Sequence, residues 1–225
     1  MKKLNNRTFA VLGLGIFGST VAKTLSEYNC EVIAVDLDIK CVDRMADICT
    51  SANQGDITDL ETLRAAGIGD CDVAVVAVGS HLEESIMAIM NLHELKVPYI
   101  VAKAKNKRYM EILKAIGADK VIRPEKEMGE RVAKSLLSQN IVDMIDIDDT
   151  YSVVEMNAPR SWVGKSLIEL DARRKFGINV LGIPKSNESR LSISPSAEYV
   201  IAAEDHLLVI AEMQTFEKFE FINSI

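Results

Sequence analysis

Gly13, Gly15 and Gly18 fall at the spacing Gly-x-Gly-x-x-Gly, with Leu14, Ile16 and Phe17 between them. The apolar run Thr8 to Leu12 precedes them, and Val21, Ala22 and Leu25 follow at helical spacing. A strand, a glycine turn and a helix form the setting in which this pattern binds an adenine nucleotide. Gly13 permits the tight turn, Gly15 lets backbone approach a pyrophosphate, and Gly18 allows close helix-strand packing, while the helix N-terminus attracts the anion. Asp36 closes a second apolar run, Glu31 to Val35, about 20 residues past the glycines. A carboxylate there accepts hydrogen bonds from a ribose 2′-hydroxyl and repels a 2′-phosphate, which disfavours NADP. The other duty open to Asp36 is an N-cap for the helix beginning near Ile39, and Asp38 is better placed for it.

A doubly wound sheet opens its ligand crevice between the first and fourth strands. That brings Val78, Gly79 and Ser80 beside the glycine loop, and Gly55 and Asp56 to the adenine edge, although Gly-Asp followed by Thr58 also reads as a turn and helix cap. Lys103 and Glu125 stand at the carboxyl ends of later strands, the ligand side of such a sheet. For Glu125, the residues by themselves favour the plainer account, stabilisation of a first helical turn behind Pro124. Tyr99-Ile-Val-Ala-Lys103 matches the Tyr-x-x-x-Lys pair of short-chain dehydrogenases, which carry it on a helix; after Val97-Pro98 it reads as a strand. An NAD-dependent oxidoreductase is therefore the competing reading of the cleft. His81, His93 and His206 are scattered, with no nucleophile motif and no His-Glu-x-x-His near them. Cys30, Cys41, Cys49 and Cys71 form no Cys-x-x-Cys pair and read as isolated thiols. No catalytic residue and no metal cluster emerges.

The elements that must hold these residues alternate. After the first two strand-helix units come a strand near Ser51 to Asn53, a helix from Asp59 to Ala66, a strand from Val73 to Val78 and a helix from Leu82 to Leu95. Strands at Tyr99 to Ala102 and Lys120 to Ile122 follow, with helices near Lys107 to Ile116 and Glu127 to Leu137. About six such units build a buried parallel sheet of the Rossmann type, an α/β fold. Beyond Leu137, Asp143, Asp146, Asp148 and Asp149 read as an acidic connector, and a domain boundary is placed there, dividing residues 1–142 from 143–225. The second part reads as a small α+β module with strands at Tyr151 to Met156, Asn179 to Ile183 and Leu207 to Ala211, a short helix near Ser166 to Leu170, and a helix after Gln214.

With 225 residues, 48% of them hydrophobic and 26% charged, the chain can bury a full core and a small companion. A net charge of -7 argues against a nucleic-acid partner, whose phosphates require clustered Lys and Arg. Apolar runs are far shorter than the ~20 residues that span a bilayer, and no apolar signal segment follows Met1-Lys2-Lys3. A soluble cytosolic protein is expected.

The string Phe9-Ala-Val-Leu-Gly-Leu-Gly-Ile-Phe-Gly18, then Ala34-Val-Asp36, Ile116-Gly-Ala-Asp119, Arg123-Pro-Glu-Lys126 and Met128-Gly129 resembles the KtrA/TrkA family. These are cytosolic RCK subunits that regulate bacterial potassium uptake. In the second half, Gly164-Lys-Ser-Leu-Ile-Glu-Leu-Asp171 with Arg173, Phe176-Gly177 and Ser194-Pro195 resembles the family's C-terminal module. The resemblance implies a homo-oligomer, a dimer assembling to an octameric ring, peripheral to the membrane under a KtrB/TrkH-like potassium-translocating subunit, and a shape change when nucleotide is exchanged. Catalysis is not implied. It implies phosphates at Gly13, Gly15 and Gly18, ribose at Asp36, and Glu125 facing a phosphate or its cation, Mg or Ca, near a neighbouring subunit. It also implies a cyclic di-AMP site at Leu167, Ile168, Asp171, Arg173 and Pro195 in some members, although Leu167, Ile168 and Leu170 also read as the core face of a short helix. Position 16 departs from the family, where an arginine that reaches the terminal phosphate of ATP is common; here it is Ile16. Losing such a charge-assisted hydrogen bond costs about 1.5 to 3 kcal/mol, roughly ten-fold or more in affinity, so ADP, AMP or NAD/NADH can compete with ATP.

Overall fold

The computed structural model describes residues 7–79, 81–136, 140–184, 191–212 and 214–215. The chain divides into two compact units, with the boundary between Glu125 and Lys126.

The N-terminal unit holds a parallel sheet of β1 (Thr8–Leu12), β2 (Glu31–Asp36), β3 (Ser51–Gln54), β4 (Val73–Val76), β5 (Tyr99–Lys103) and β6 (Lys120–Ile122). Their order is β3-β2-β1-β4-β5-β6, the doubly wound order in which the chain reverses direction between β1 and β4. Between the strands run α1 (Ile16–Glu27), α2 (Ile39–Asp43), α3 (Leu60–Ala65), α4 (Leu82–Glu94) and α5 (Lys107–Ala115); α6 (Pro124–Leu136) follows β6. Both faces of the sheet are covered, and the period-2 alternation shows it. Ala10 and Leu12 of β1 enter one core with Ala74, Ile89 and Ile100, while Val11 between them enters the other with Ala22, Val32 and Ala34. That two-sided burial is why the strands read as continuous apolar runs.

Side chains that start the helices fix where the loops turn. Asp38 accepts from the Lys40 amide, Asp59 from those of Glu61 and Thr62, and Asn106 from that of Tyr109. α2 stops at Asp43, shorter than the apolar repeat to Cys49 suggested, and residues 44–48 continue as turns. β4 ends at Val76, and Ala77 and Val78 leave the sheet across the glycine loop.

The C-terminal unit contains an antiparallel sheet of β7 (Ile141–Asp146), β8 (Tyr151–Asn157), β9 (Asn179–Pro184), β10 (Leu191–Ile193) and β11 (His206–Glu212), in the order β10-β9-β11-β8-β7. α7 (Leu167–Leu170) and α8 (Ala172–Phe176) lie between β8 and β9 in the chain. Val154 and Met156 of β8 and Leu207, Val209 and Ala211 of β11 point into one core with Trp162, whose ring lies 5.8 Å from that of Phe176. The segment read as an acidic connector differs: Ile141 to Asp146 is an edge strand, and its acids are placed by α6. Asp143 accepts from Arg131 Nε at 2.7 Å, and Asp146 pairs with Lys134 and accepts from Ser152. α8 and β10 are additions to the elements read from sequence. Of the helix expected after Gln214, only residues 214–215 lie within the described residues, and Ser80 and Leu137 lie outside them.

Candidate nucleotide site

The three glycines of the first turn do different work. Gly13 has φ +95°, and a Cβ there would stand 2.7 Å from Val78 Cγ1. At Gly18 a Cβ would fall 1.9 Å from the carbonyl oxygen of Gly13, so only glycine lets α1 start this close to β1. Gly15 is unlike both. Its φ is -61°, and a Cβ built on it meets no atom within 4 Å. Neither backbone strain nor packing requires glycine there, which leaves close approach from outside as the reason for it.

Gly15 is also the N-cap of α1, and no side chain caps this helix. The first turn carries no acidic residue. The partial positive charge of the amides at this 12-residue helix therefore faces outward without internal compensation. Ile16, in the same turn, is 91% exposed.

Asp36 lies at the carboxyl end of β2. Its Oδ2 accepts from the Leu14 amide at 2.5 Å and its Oδ1 from the Asp38 amide at 2.8 Å. The carboxylate thus holds the glycine turn and the next loop in register while remaining part-exposed. The N-cap duty belongs to Asp38, as its position suggested. Asp36, Gly13 and Asp56 line a cavity of about 210 Å³ together with Leu37, Ile57, Thr58, Val78 and Glu84. Asp56 accepts from the amide and hydroxyl of Thr58 at 2.8 and 2.7 Å, an ordinary turn, while Asp59 caps α3; the two readings of Gly55-Asp56 hold together. Leu37 and Glu84 were not singled out from sequence, since their place in this cavity comes from the sheet order, which sets the loop after β2 and the start of α4 on either side of β1, and not from any spacing.

Phe17, Gly79, Lys103 and Glu125 form a second group. The Lys103 stem fills the space over Gly79, where a Cβ would come within 2.8 Å of it. Its ammonium stands 5.6 Å from the centroid of the Phe17 ring and pairs with Glu125 Oε1 at 2.5 Å. The hydrogen bond from Lys103 holds the Glu125 carboxyl below the usual carboxylate range. Tyr99 stands at the opposite end of β5: four residues at ~3.3 Å each separate it from Lys103 by about 13 Å along the strand. On a helix the two would be neighbours; here they share no proton path.

The histidines and thiols stand apart from this geometry. His81 precedes α4, His93 is exposed on it, and His206 Nδ1 lies 3.3 Å from Glu155 on the second sheet. Cys30, Cys49 and Cys71 are buried and Cys41 is half-buried, and none of the four forms a disulfide among the described residues; burial pushes the Cys71 thiol up to about 11. Among the described residues no group of three or more His, Cys, Asp or Glu could hold a metal ion. No helix among them is long and apolar enough to cross a membrane.

In the C-terminal unit Leu167, Ile168, Asp171, Arg173 and Pro195 line one cavity of about 300 Å³ with Asn179 and Val180. Leu170 alone is the buried face of α7, while Ile168 is 66% exposed. Asp171 adopts φ +46° between α7 and α8, and its carboxylate stands 3.8 Å from Arg174 rather than from Arg173.

Residues 9–124 match the TrkA-N domain and residues 151–221 the TrkA-C domain. The chain is 38% identical over 214 residues to the Ktr system potassium uptake protein C of Bacillus subtilis, covering 95% of this chain and 96% of that protein. It is 36% identical over 220 residues to the Ktr system potassium uptake protein A of the same organism, covering 98% of each. The solved RCK domain of GsuK shares the fold with a TM-score of 0.68 at 15% identity; the match covers 100% of this chain and 49% of that one, so the chain spans about half its length. With both halves matched in order and along nearly its whole length, the chain belongs to the KtrA/TrkA family of potassium uptake proteins.

Proposed function

We propose that the chain is a cytoplasmic regulatory subunit that senses an adenine nucleotide and gates a KtrB/TrkH-like membrane subunit through a ring of identical copies. The observation that carries the sensor reading is Gly15, a glycine that its own protein does not need, at the start of a helix that nothing caps. In this reading Gly13, Gly15, Ile16, Phe17 and Gly18 present amides to the phosphates, and Asp36 turns from the Leu14 amide to the ribose hydroxyls. Asp56 borders the base, and Gly79, Lys103 and Glu125 border the outer phosphates. Glu125 is also the residue that would meet a Mg or Ca ion carried by the nucleotide. The functional division is residues 1–142, which include α6, and 143–225.

The ligand is ATP or ADP first, with AMP or NAD/NADH as competitors, because Ile16 offers no charge to a terminal phosphate. Ligand that binds one arrangement of the ring better shifts the population toward it, which is all that gating requires of the subunit. Titration of the purified chain with ATP, ADP, NAD and NADH by calorimetry tests this. Micromolar binding that is lost in Gly15→Asp, whose side chain would enter the pyrophosphate position, is the expected result. No heat with any of the four ends the sensor reading.

The exoposed Ile168, with Leu167, Asp171, Arg173 and Pro195 around one cavity, favours a second ligand, cyclic di-AMP, in the C-terminal unit. The oxidoreductase alternative finds no support in the separation of Tyr99 from Lys103.

A further inference from the structure

We propose that the amino end of the first sheet, opposite the nucleotide cleft, is the docking surface for a Lys- and Arg-bearing cytoplasmic loop of the membrane subunit, with one basic side chain of that loop stacked on Tyr99 between Asp72 and Asp119. The proposal rests on the membrane partner named in the reading above and gives it a surface.

A groove of about 470 Å³ opens at this end, walled by Phe9, Val73, Pro98 and Tyr99 together with Arg7 and Asp72. Tyr99 is 42% exposed although β5 is an inner strand of the sheet. Tyr28 and Ile48, just before β2 and β3, are exposed at the same end. Large apolar side chains gathered at one end of a sheet mark an interaction surface.

The strand register supplies the charges. Tyr99 is paired with Val73 of β4, which Asp72 precedes, and Asp119, just before β6, accepts from the Ile100 amide at 2.7 Å. Asp72 accepts in the same way from the Thr8 amide at 2.9 Å. A carboxylate therefore stands on each side of Tyr99, about one strand spacing, ~4.8 Å, away. Each gives one oxygen to a backbone amide, which fixes its position, and each residue is exposed. An aromatic ring bordered by fixed carboxylates attracts a guanidinium or ammonium through both the ring quadrupole and the acidic charge. Around this end the exposed acids Glu31, Asp47, Asp70, Asp72 and Asp119 face Arg7, Lys96 and Lys120, a local excess of negative charge.

That excess selects the occupant. Cytoplasmic loops of membrane proteins carry an excess of Lys and Arg near their spans, so the partner's loops are complementary to this surface, whereas anionic lipid or nucleic acid is repelled. Groove and cleft lie at the two ends of β1: Arg7 precedes Thr8 and Gly13 follows Leu12, about 20 Å along the strand. Nucleotide and loop therefore do not compete for space.

Binding of the chain to the KtrB/TrkH-like subunit of the same cell, purified in nanodiscs, tests the surface by surface plasmon resonance at low and high salt. Tyr99→Ser is expected to weaken binding ten-fold or more, chiefly in dissociation rate, and Tyr99→Phe to keep most of it. Asp72→Asn with Asp119→Asn leaves each backbone amide an acceptor but removes both charges. That double variant should lose about three- to ten-fold, chiefly in association rate, and depend less on salt than wild type; it carries the test even where Tyr99→Ser unfolds. A photoreactive phenylalanine analogue at position 99 should cross-link to a basic loop of the membrane subunit. Wild-type affinity in the double variant, or a cross-link from position 99 to another copy of the chain, overturns the docking surface while the partner reading stands. If wild type does not bind the membrane subunit at all, the partner reading falls and this surface with it. Calorimetry with nucleotide judges the cleft separately, since none of these residues lines it.

Discussion

Gly15 and Gly18 are three residues apart and should respond to the same substitution in opposite ways. At Gly15, alanine loses some N-cap preference and gains from a stiffer unfolded chain, two effects that offset to within about 0.5 kcal/mol. Gly15→Ala should therefore unfold in urea at the wild-type midpoint, yet its Cβ stands where ligand must approach, and nucleotide affinity should drop by ten-fold or more. Gly18→Ala drives a Cβ to 1.9 Å from a backbone oxygen, so its loss is in stability, of about 3 kcal/mol or more. Equal urea midpoints for the two variants would show that the turn is not packed as described. Asp36→Asn keeps the shape of the side chain but presents one acceptor oxygen where two backbone amides and a ribose now compete. A cost of about 1 kcal/mol in urea unfolding and an affinity loss near ten-fold are expected. Wild-type affinity in Asp36→Asn would separate this carboxylate from the sugar.

At the scale of elements, the first sheet was legible because strand and helix alternate strictly and each strand is apolar on both faces. The strand order, and with it the side of the sheet that carries Asp36, Gly79 and Lys103, followed from the glycine turn and the doubly wound rule. β7 was hidden because an edge strand with one buried residue, Met144, reads as polar connector. α8 and β10, of five and three residues, are too short for any period to register. Leu37 and Glu84 entered the cleft through topology alone. What made β7 unreadable also gives it a testable property. The Asp143 carboxyl is held below its usual value chiefly by the hydrogen bond from Arg131, and that of Asp146 chiefly by the one from Lys134. Acids lowered in the folded state contribute stability that is full above their ordinary value, 3.8, and is lost as pH falls through the lower folded value. α6 should therefore loosen from β7 as pH drops below about 3.8, seen as faster amide exchange at residues 131–136. In Asp143→Asn that exchange should already be faster at neutral pH and vary less on acidification; a wild-type profile in the variant would sink the assignment.

For the whole molecule, the cleft residues all precede Lys126 and the residues around the second cavity all follow it. Each candidate ligand therefore acts first on a different unit. A ligand at 100 times its dissociation constant stabilises the folded form it binds by about 2.7 kcal/mol, roughly ten degrees or more of melting temperature for a unit of roughly 100 residues. If the units were energetically independent, ATP or ADP would raise only the melting transition of the N-terminal unit and cyclic di-AMP only that of the C-terminal one. A sensor cannot work that way, because a signal read in one unit must change the free energy of something outside it. The shift of the second transition on saturating the first site measures that coupling, and by linkage it must be the same when the two ligands exchange roles. Calorimetric scans at one fixed protein concentration, which holds the contribution of assembly constant, should show both transitions moving with adenine nucleotide, one by roughly ten degrees and the other by less. A second transition that stays still in wild type at saturating nucleotide would mean that the cleft binds without transmitting, and the chain would be a nucleotide-binding ring component rather than a sensor.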